Sequence, residues 1–193
     1  MPSPRRHKLL HAAIAGACLA GVLAGAPVAG AQAPPGSGGA AFVPPPPPPK
    51  MAKLVNGRVI APATAPTRVK RVIAAANRIV EKPYVYGGGH KPFVKGRLDP
   101  GYDCSGAVSY ALYGGGFLRS PLPSGAMMGW GRPGPGRWIT VYAHGGHAYA
   151  VVAGLRFDTS LRDPDAPGPS TGPRWSRTLR ESAAFVARHP RGY

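Results

Sequence analysis

Apolar residues recur at helical spacing in one segment of the chain. Their positions are Val69, Val72, Ile73, Ala76, Ile79 and Val80. Residues three and four apart lie on one face of a helix, so this spacing predicts an amphipathic helix with a buried apolar side. Thr67 follows Pro66 and is suited to cap the helix start, whereas Pro83 is expected to end the helix.

A second, shorter pattern lies between a glycine/proline turn and a run of three glycines. The turn leads into Asp103, a good N-cap residue, and apolar or small residues follow at 107, 108, 111 and 112. Cys104 therefore falls in the first turn of a short buried helix. Unpaired backbone N–H groups and the helix dipole favour the thiolate at this position, which lowers the pKa of a thiol. The same N–H groups are able to stabilise an oxyanion.

Two strand-like runs, residues 147–152 and 155–160, flank the dipeptide Ala153-Gly154 and predict a hairpin. With a two-residue loop, His147 and Asp158 become diagonal neighbours on one face, with their Cβ atoms roughly 7 to 8 Å apart. A slip of one residue would separate them. The alternative is that His147 only begins a strand and Asp158 is a surface residue.

The first 33 residues have the order of a secretory signal peptide. Arg5, Arg6 and Lys8 precede an apolar stretch at 9–28, and small residues follow up to Ala33. This order predicts export, with cleavage near Ala31 or Ala33. The alternative is an uncleaved membrane anchor, but a stretch rich in alanine and glycine is only weakly hydrophobic. We therefore expect no membrane span after cleavage.

Residues 34–66 are predicted to be a disordered linker, followed by one domain over 67–193. The chain holds 28 glycines and 25 prolines in 193 residues, and six consecutive prolines occupy positions 44–49. Such a segment buries little apolar surface and favours extended polyproline II. A ligand for a proline-binding module is the alternative. Within the domain, residues 179–188 are expected to form a short helix.

The chain is strongly basic, with 24 lysines and arginines against 7 acidic residues and a formal net charge of +17. Such a charge favours polyanionic partners: nucleic acid, anionic lipid or an anionic cell wall. No nucleic-acid-binding motif accompanies it, and export argues against nucleic acid. The length excludes a large multidomain enzyme.

Cleavage of the signal peptide would leave Cys104 as the one cysteine, since Cys18 lies within the removed segment. A lone thiol in an exported protein is inert and buried, linked to another molecule, or a nucleophile. One cysteine and scattered histidines lack metal-ligand spacing, so neither a metal nor another cofactor is expected. His147 is the favoured base for the thiol, and His144 is the alternative.

Four pieces of the sequence together resemble the NlpC family of papain-like cell-wall cysteine peptidases. They are an amphipathic helix leading to Tyr-Gly-Gly at 86–88, Asp-Cys-Ser-Gly at 103–106, a histidine that begins a strand, and a polar residue on the next strand. The match covers residues 67–160. The resemblance implies an α+β fold, with N-terminal helices and the cysteine helix packed on a central antiparallel sheet.

By this resemblance, Cys104 is the nucleophile, His147 is the general base, and Asp158 orients the imidazole. The implied reaction is hydrolysis of the amide between γ-D-glutamyl and a diamino acid in peptidoglycan. In this family the third position is more often His, Asn or Gln, so Asp158 is a departure. We expect a secreted monomer that binds peptidoglycan and the associated anionic wall polymers.

The resemblance also implies substrate contacts at Asp103 and Ser105, which match positions that hold the free amino end of the stem peptide. Tyr86 and Ser124 match further positions of the substrate pocket. The family's arginine- and glutamine-bearing segment is replaced here by residues 118–124. Two alternatives remain: a catalytically silent wall-binding module, and an amidase or acyltransferase of the same fold.

Overall fold

A hairpin precedes the predicted start of the domain. A computed structural model describes residues 51–161 and 172–193 of the protein. Strands β1 (Lys53–Val55) and β2 (Arg58–Ile60) pair antiparallel around Asn56 and Gly57, which both have positive φ. The prediction of a disordered linker up to residue 66 is therefore wrong for residues 53–60. The predicted signal peptide and the proline run lie outside the described residues.

The hairpin is ordered because it packs on the domain. Ala52 and Val59 are buried in the core, and the Ala52 N–H donates to the carbonyl of Ala153. The side chain of Asn77 bonds both backbone groups of Val59, at 2.9 Å and 2.8 Å. Asn-Gly between apolar residues is a typical hairpin sequence, and this dipeptide is the local signal that indicates the turn.

Helix α1 (Thr67–Asn77) buries the predicted apolar face, with Val69 and Ile73 almost inaccessible to solvent. Pro66, not Thr67, is the N-cap residue, and no side chain caps this end. The helix also ends earlier than Pro83. Ile79 and Val80 are nevertheless buried in the turns that follow it. The tertiary contacts of Asn77 with the hairpin coincide with the end of the helix.

Helix α2 (Cys104–Gly114) is the buried helix that the sequence predicts. Every residue from Cys104 to Leu112 is buried, and Asp103 is the N-cap. Its carboxylate accepts a hydrogen bond of 2.7 Å from the Gly106 N–H. A short helix, α3 (Ser124–Met127), follows. Among the described residues, no helix is both long and apolar enough to span a membrane.

A six-stranded antiparallel sheet packs against α2 through its central strands. The strands are β3 (Arg132–Pro133), β4 (Ile139–His144), β5 (His147–Val152), β6 (Leu155–Asp158), β7 (Arg174–Ser176) and β8 (Val186–His189). Their spatial order is β3-β8-β4-β5-β6-β7. The predicted α+β arrangement, with the cysteine helix on an antiparallel sheet, is confirmed.

The predicted helix over 179–188 is wrong, because this region contributes β8. That strand pairs antiparallel with β4 on one side and β3 on the other. An unpaired edge of β4 would leave backbone groups without partners, so sheet pairing outweighs the local helical pattern. Because residues 186–189 form a strand, residues 180–185 lie near the start of β5 and border the candidate site.

Candidate active site

Cys104 lies at the N-terminus of α2 as a free, buried cysteine. The loop at 87–89 is packed tightly against this first helical turn. A Cβ atom at Gly106 would collide with the Gly88 carbonyl oxygen, so a larger residue would push the loop away. The Tyr-Gly-Gly and Asp-Cys-Ser-Gly segments are therefore in direct contact in the folded protein.

His147 and the thiol of Cys104 are close enough for each to shift the pKa of the other. Burial raises the pKa of the Cys104 thiol, but the bonds from His147 and from the backbone of Ala148 outweigh it, and the pKa lies below its ordinary value. Burial lowers the pKa of His147, but Asp158 and Cys104 together raise it to about 9. Both shifts favour a thiolate beside an imidazolium.

Asp158 lies on the other side of the imidazole. Its Oδ1 is 2.9 Å from His147 Nε2. The strands β5 and β6 have the register that the sequence predicts, and the predicted contact between these two residues is confirmed. The Ser160 N–H and hydroxyl also donate to Oδ1, at 2.9 Å and 3.0 Å.

The Asp158 carboxylate is fully buried and charged. Burial raises its pKa, but hydrogen bonds from His147 and the Ser160 backbone hold the pKa below its usual value. Two arginines face its Oδ2 atom: Arg180 Nη1 lies at 3.3 Å and Arg156 Nε at 3.6 Å. Arg156 lies two positions before Asp158 on β6, whereas only the folded chain brings Arg180 to Asp158.

His144, the alternative base, has other contacts. Its Nδ1 accepts a hydrogen bond of 3.0 Å from the Gly146 N–H, and its ring packs on Phe185 with centroids 4.5 Å apart. The centroid of His144 lies 6.3 Å from that of His147. His147, and not His144, is therefore the histidine that the fold places on the thiol.

Asp103 and Ser105 flank the thiol and form a cluster with His90. His90 Nε2 lies 3.0 Å from Asp103 Oδ1 and 3.2 Å from the Ser105 hydroxyl. The other carboxylate oxygen of Asp103 accepts from the Gly87 N–H at 3.1 Å. The carboxylate thus joins α2 to the glycine loop, a structural role in addition to any contact with substrate.

Tyr86 and Ser124, the two remaining predicted substrate residues, have different surroundings from each other. Tyr86 is 90% exposed, whereas Tyr84 is 40% exposed and is the tyrosine that responds to the charge of Cys104. Burial and the charges of Cys104 and Asp103 raise the pKa of Tyr84. The hydroxyl of Ser124, which is buried, donates to the Gly145 carbonyl at 3.2 Å and so holds the turn before His147. Tyr84 lies in the same sequence motif as Tyr86, two positions earlier.

The described part of the chain contains no group of three or more His, Cys, Asp or Glu side chains that could hold a metal ion. The chemistry available from these residues is nucleophilic. A thiolate at a helix N-terminus, a protonated imidazole and a buried carboxylate together suit attack on a carbonyl and protonation of its leaving group.

No protein-family model and no curated protein matches the chain. Among solved structures, it is similar to the P60 domain of an antigen from Mycobacterium avium subspecies paratuberculosis, with 24% identity and a TM-score of 0.44, over 63% of this chain and 93% of that one. It is also similar to the Mycobacterium tuberculosis peptidoglycan hydrolase RipB, with 28% identity and a TM-score of 0.45, over 67% and 68% of the two chains.

A third similar structure is RipD from Mycobacterium tuberculosis, described as a non-catalytic NlpC/p60 domain protein adapted to peptidoglycan binding. It has 18% identity and a TM-score of 0.41, over 64% of this chain and 98% of that one. The name of this third structure includes that of the family that the sequence motifs resemble.

Proposed function

We propose that this protein is an exported cysteine peptidase that hydrolyses an amide bond in peptidoglycan stem peptides, of the γ-D-glutamyl–diamino acid type. One observation carries the proposal: the imidazole of His147 lowers the pKa of the Cys104 thiol, and its Nε2 lies 2.9 Å from the carboxylate of Asp158. The three residues come from α2, β5 and β6, so the packing of helix on sheet assembles the site.

The reaction follows from the charges of the pair. The Cys104 thiolate attacks the carbonyl carbon of the scissile amide, and the backbone N–H groups of the first turn of α2 stabilise the oxyanion. The C–N bond then breaks, and the His147 imidazolium gives its proton to the departing amine. The neutral imidazole takes a proton from water, which hydrolyses the thioester and regenerates the thiolate.

The charge and the sequence motifs support the substrate class. A formal net charge of +17, of which Arg5, Arg6 and Lys8 of the proposed signal peptide supply three, suits an acidic wall polymer. Asp103 and Ser105 adjoin the nucleophile, where a carboxylate and a hydroxyl are suited to an ammonium group such as the amino end of a stem peptide. In this proposal residues 1–33 direct export, the proline-rich residues up to the hairpin act as a spacer, and the domain acts as a secreted monomer.

The test is release of soluble stem peptides from purified peptidoglycan, with mass analysis of the new chain ends. The protein is compared with Cys104→Ala, and both are also sedimented with insoluble wall. We expect release by the wild type only, with a new amino end on the diamino acid and equal sedimentation of both proteins. Sedimentation without release would indicate a wall-binding module. Product formation only with an added amine acceptor would indicate an acyltransferase.

A further inference from the structure

Arg180 is a partly exposed residue that contacts the buried carboxylate of Asp158 at the candidate site. Its Nη1 lies 3.3 Å from Asp158 Oδ2 and 3.0 Å from the Ser160 hydroxyl. Its guanidinium carbon is 5.1 Å from the centroid of the Phe185 ring and 5.5 Å from that of Tyr149. The Arg180 side chain is 34% exposed, whereas that of Asp158 is 0% exposed. A partly exposed cation therefore reaches a buried carboxylate.

The two oxygens of Asp158 have separate partners. Oδ1 is hydrogen-bonded to the His147 imidazole and accepts hydrogen bonds from the N–H and the hydroxyl of Ser160. Oδ2 faces the guanidinium of Arg180. A carboxylate stabilises the positive charge of a neighbouring imidazolium, and a cation on its second oxygen weakens that effect.

We propose that Arg180 is a positioning residue that acts through Asp158: it holds the carboxylate against His147 and offsets part of its charge. By this means it sets the pH at which the imidazolium loses its proton. The proposal rests on the proposed function for its biological meaning, because the imidazolium is the acid that protonates the leaving amine.

Other charged or titratable groups also face this pair. Arg156 of β6 lies on the same oxygen of Asp158, but it is buried and its Nε has no hydrogen-bond partner in the structure. Arg174 of β7 is in register with Asp158 and donates to the Val80 carbonyl. Within residues 51–161 and 172–193, the remaining groups are Cys104 of α2, His144 of β4 and Tyr149 of β5. Arg180 alone among the arginines in this group donates a hydrogen bond to the Asp158 carboxylate.

The experiment follows the ring-carbon resonance of His147 by NMR as a function of pH, in the full chain with labelled histidine. Arg180→Gln and Arg180→Met remove the charge, and the second keeps an apolar stem beside Phe185. Arg180→Lys restores the charge. Arg177→Gln is the matched control, since Arg177 is exposed and donates to the Leu54 carbonyl instead.

We expect the titration midpoint of His147 to rise by about half a pH unit or more in both neutral variants. It should return toward the wild-type value in Arg180→Lys and stay unchanged in Arg177→Gln. In an Asp158→Asn background, Arg180→Gln should produce no such rise, because its route to the imidazole is missing.

Three results would overturn the proposal. They are an unchanged or lowered midpoint in the neutral variants, the same rise in the Asp158→Asn background, and loss of the native fold in both neutral variants, which would make Arg180 a structural residue. The readout needs no substrate. Failure of peptidoglycan hydrolysis is therefore distinguishable from failure of this proposal.

Discussion

His147 Nε2 lies 2.9 Å from Asp158 Oδ1 although the two residues are 11 positions apart. The tight turn at Ala153 and Gly154, with φ of 47° and 83°, joins their strands. Two successive residues with positive φ are typical of the two-residue hairpin turn whose twist matches that of the strands. Since a slip of one residue would turn the side chains to opposite faces, this turn determines whether the imidazole meets the carboxylate.

The choice of histidine can be tested by replacing each one separately. His147→Gln should lower peptidoglycan hydrolysis by about 10²-fold or more, because general acid–base catalysis is lost. His144→Gln should keep activity within a few-fold, since His144 contacts Gly146 and Phe185. Initial rates of soluble peptide release measure both effects. Equal loss in the two variants would contradict the assignment of His147.

The lowered pKa of the Cys104 thiol predicts the pH dependence of its alkylation. The pH midpoint for alkylation of Cys104 by iodoacetamide should lie below that of an ordinary thiol, about 8.5. In His147→Gln the midpoint should move above that of the wild type, because burial then opposes the thiolate with less compensation. A wild-type midpoint at or above the ordinary value would contradict the thiolate–imidazolium pair.

The same charges predict the alkaline limit of hydrolysis. Activity should fall as pH rises through about 9, where the imidazolium of His147 loses the proton that the leaving amine requires. The measurement is the pH profile of kcat/KM on soluble stem peptides. Constant activity well above this pH would show that His147 does not supply the proton.

Asp103 should be important for stability as well as for any substrate contact. Asp103→Ala removes the acceptor of the Gly106 and Gly87 N–H groups and should lower the free energy of unfolding by about 1 to 2 kcal/mol. Asp103→Asn should lose less, because asparagine is also a good N-cap. Denaturant unfolding measures both variants. Equal stability of the wild type and Asp103→Ala would contradict the capping role.

Asn77 joins three parts of the domain. It bonds both backbone groups of Val59 and accepts from the Trp175 indole N–H at 2.9 Å. Asn77→Ala should therefore lower the free energy of unfolding by about 2 kcal/mol or more. Glu81→Gln is the control: its ion pair with Arg58 is exposed and should contribute less than about 1 kcal/mol. A smaller loss in Asn77→Ala than in Glu81→Gln would contradict this role.

Much of the candidate site could be predicted from the sequence because its determinants are local. The N-cap at Asp103 places Cys104 in the first turn of α2, since the cap and the first turn are neighbours in sequence. A two-residue loop likewise determines which residues of β5 and β6 face each other. Helical periodicity identified the buried face of α1, although it did not identify where the helix ends.

The tertiary structure alone decided the rest, because those features depend on residues far apart in the chain. Residues 186–189 form a strand since the edge of β4 requires a partner, which no local pattern encodes. Tyr84 rather than Tyr86 responds to the charge of Cys104, and Tyr86 is largely exposed, because of how their loop packs on α2. Arg180 reaches Asp158 from 22 positions away. Charge interactions depend on distance in space, so the effect of Arg180 on Asp158 could be recognised only in the folded chain.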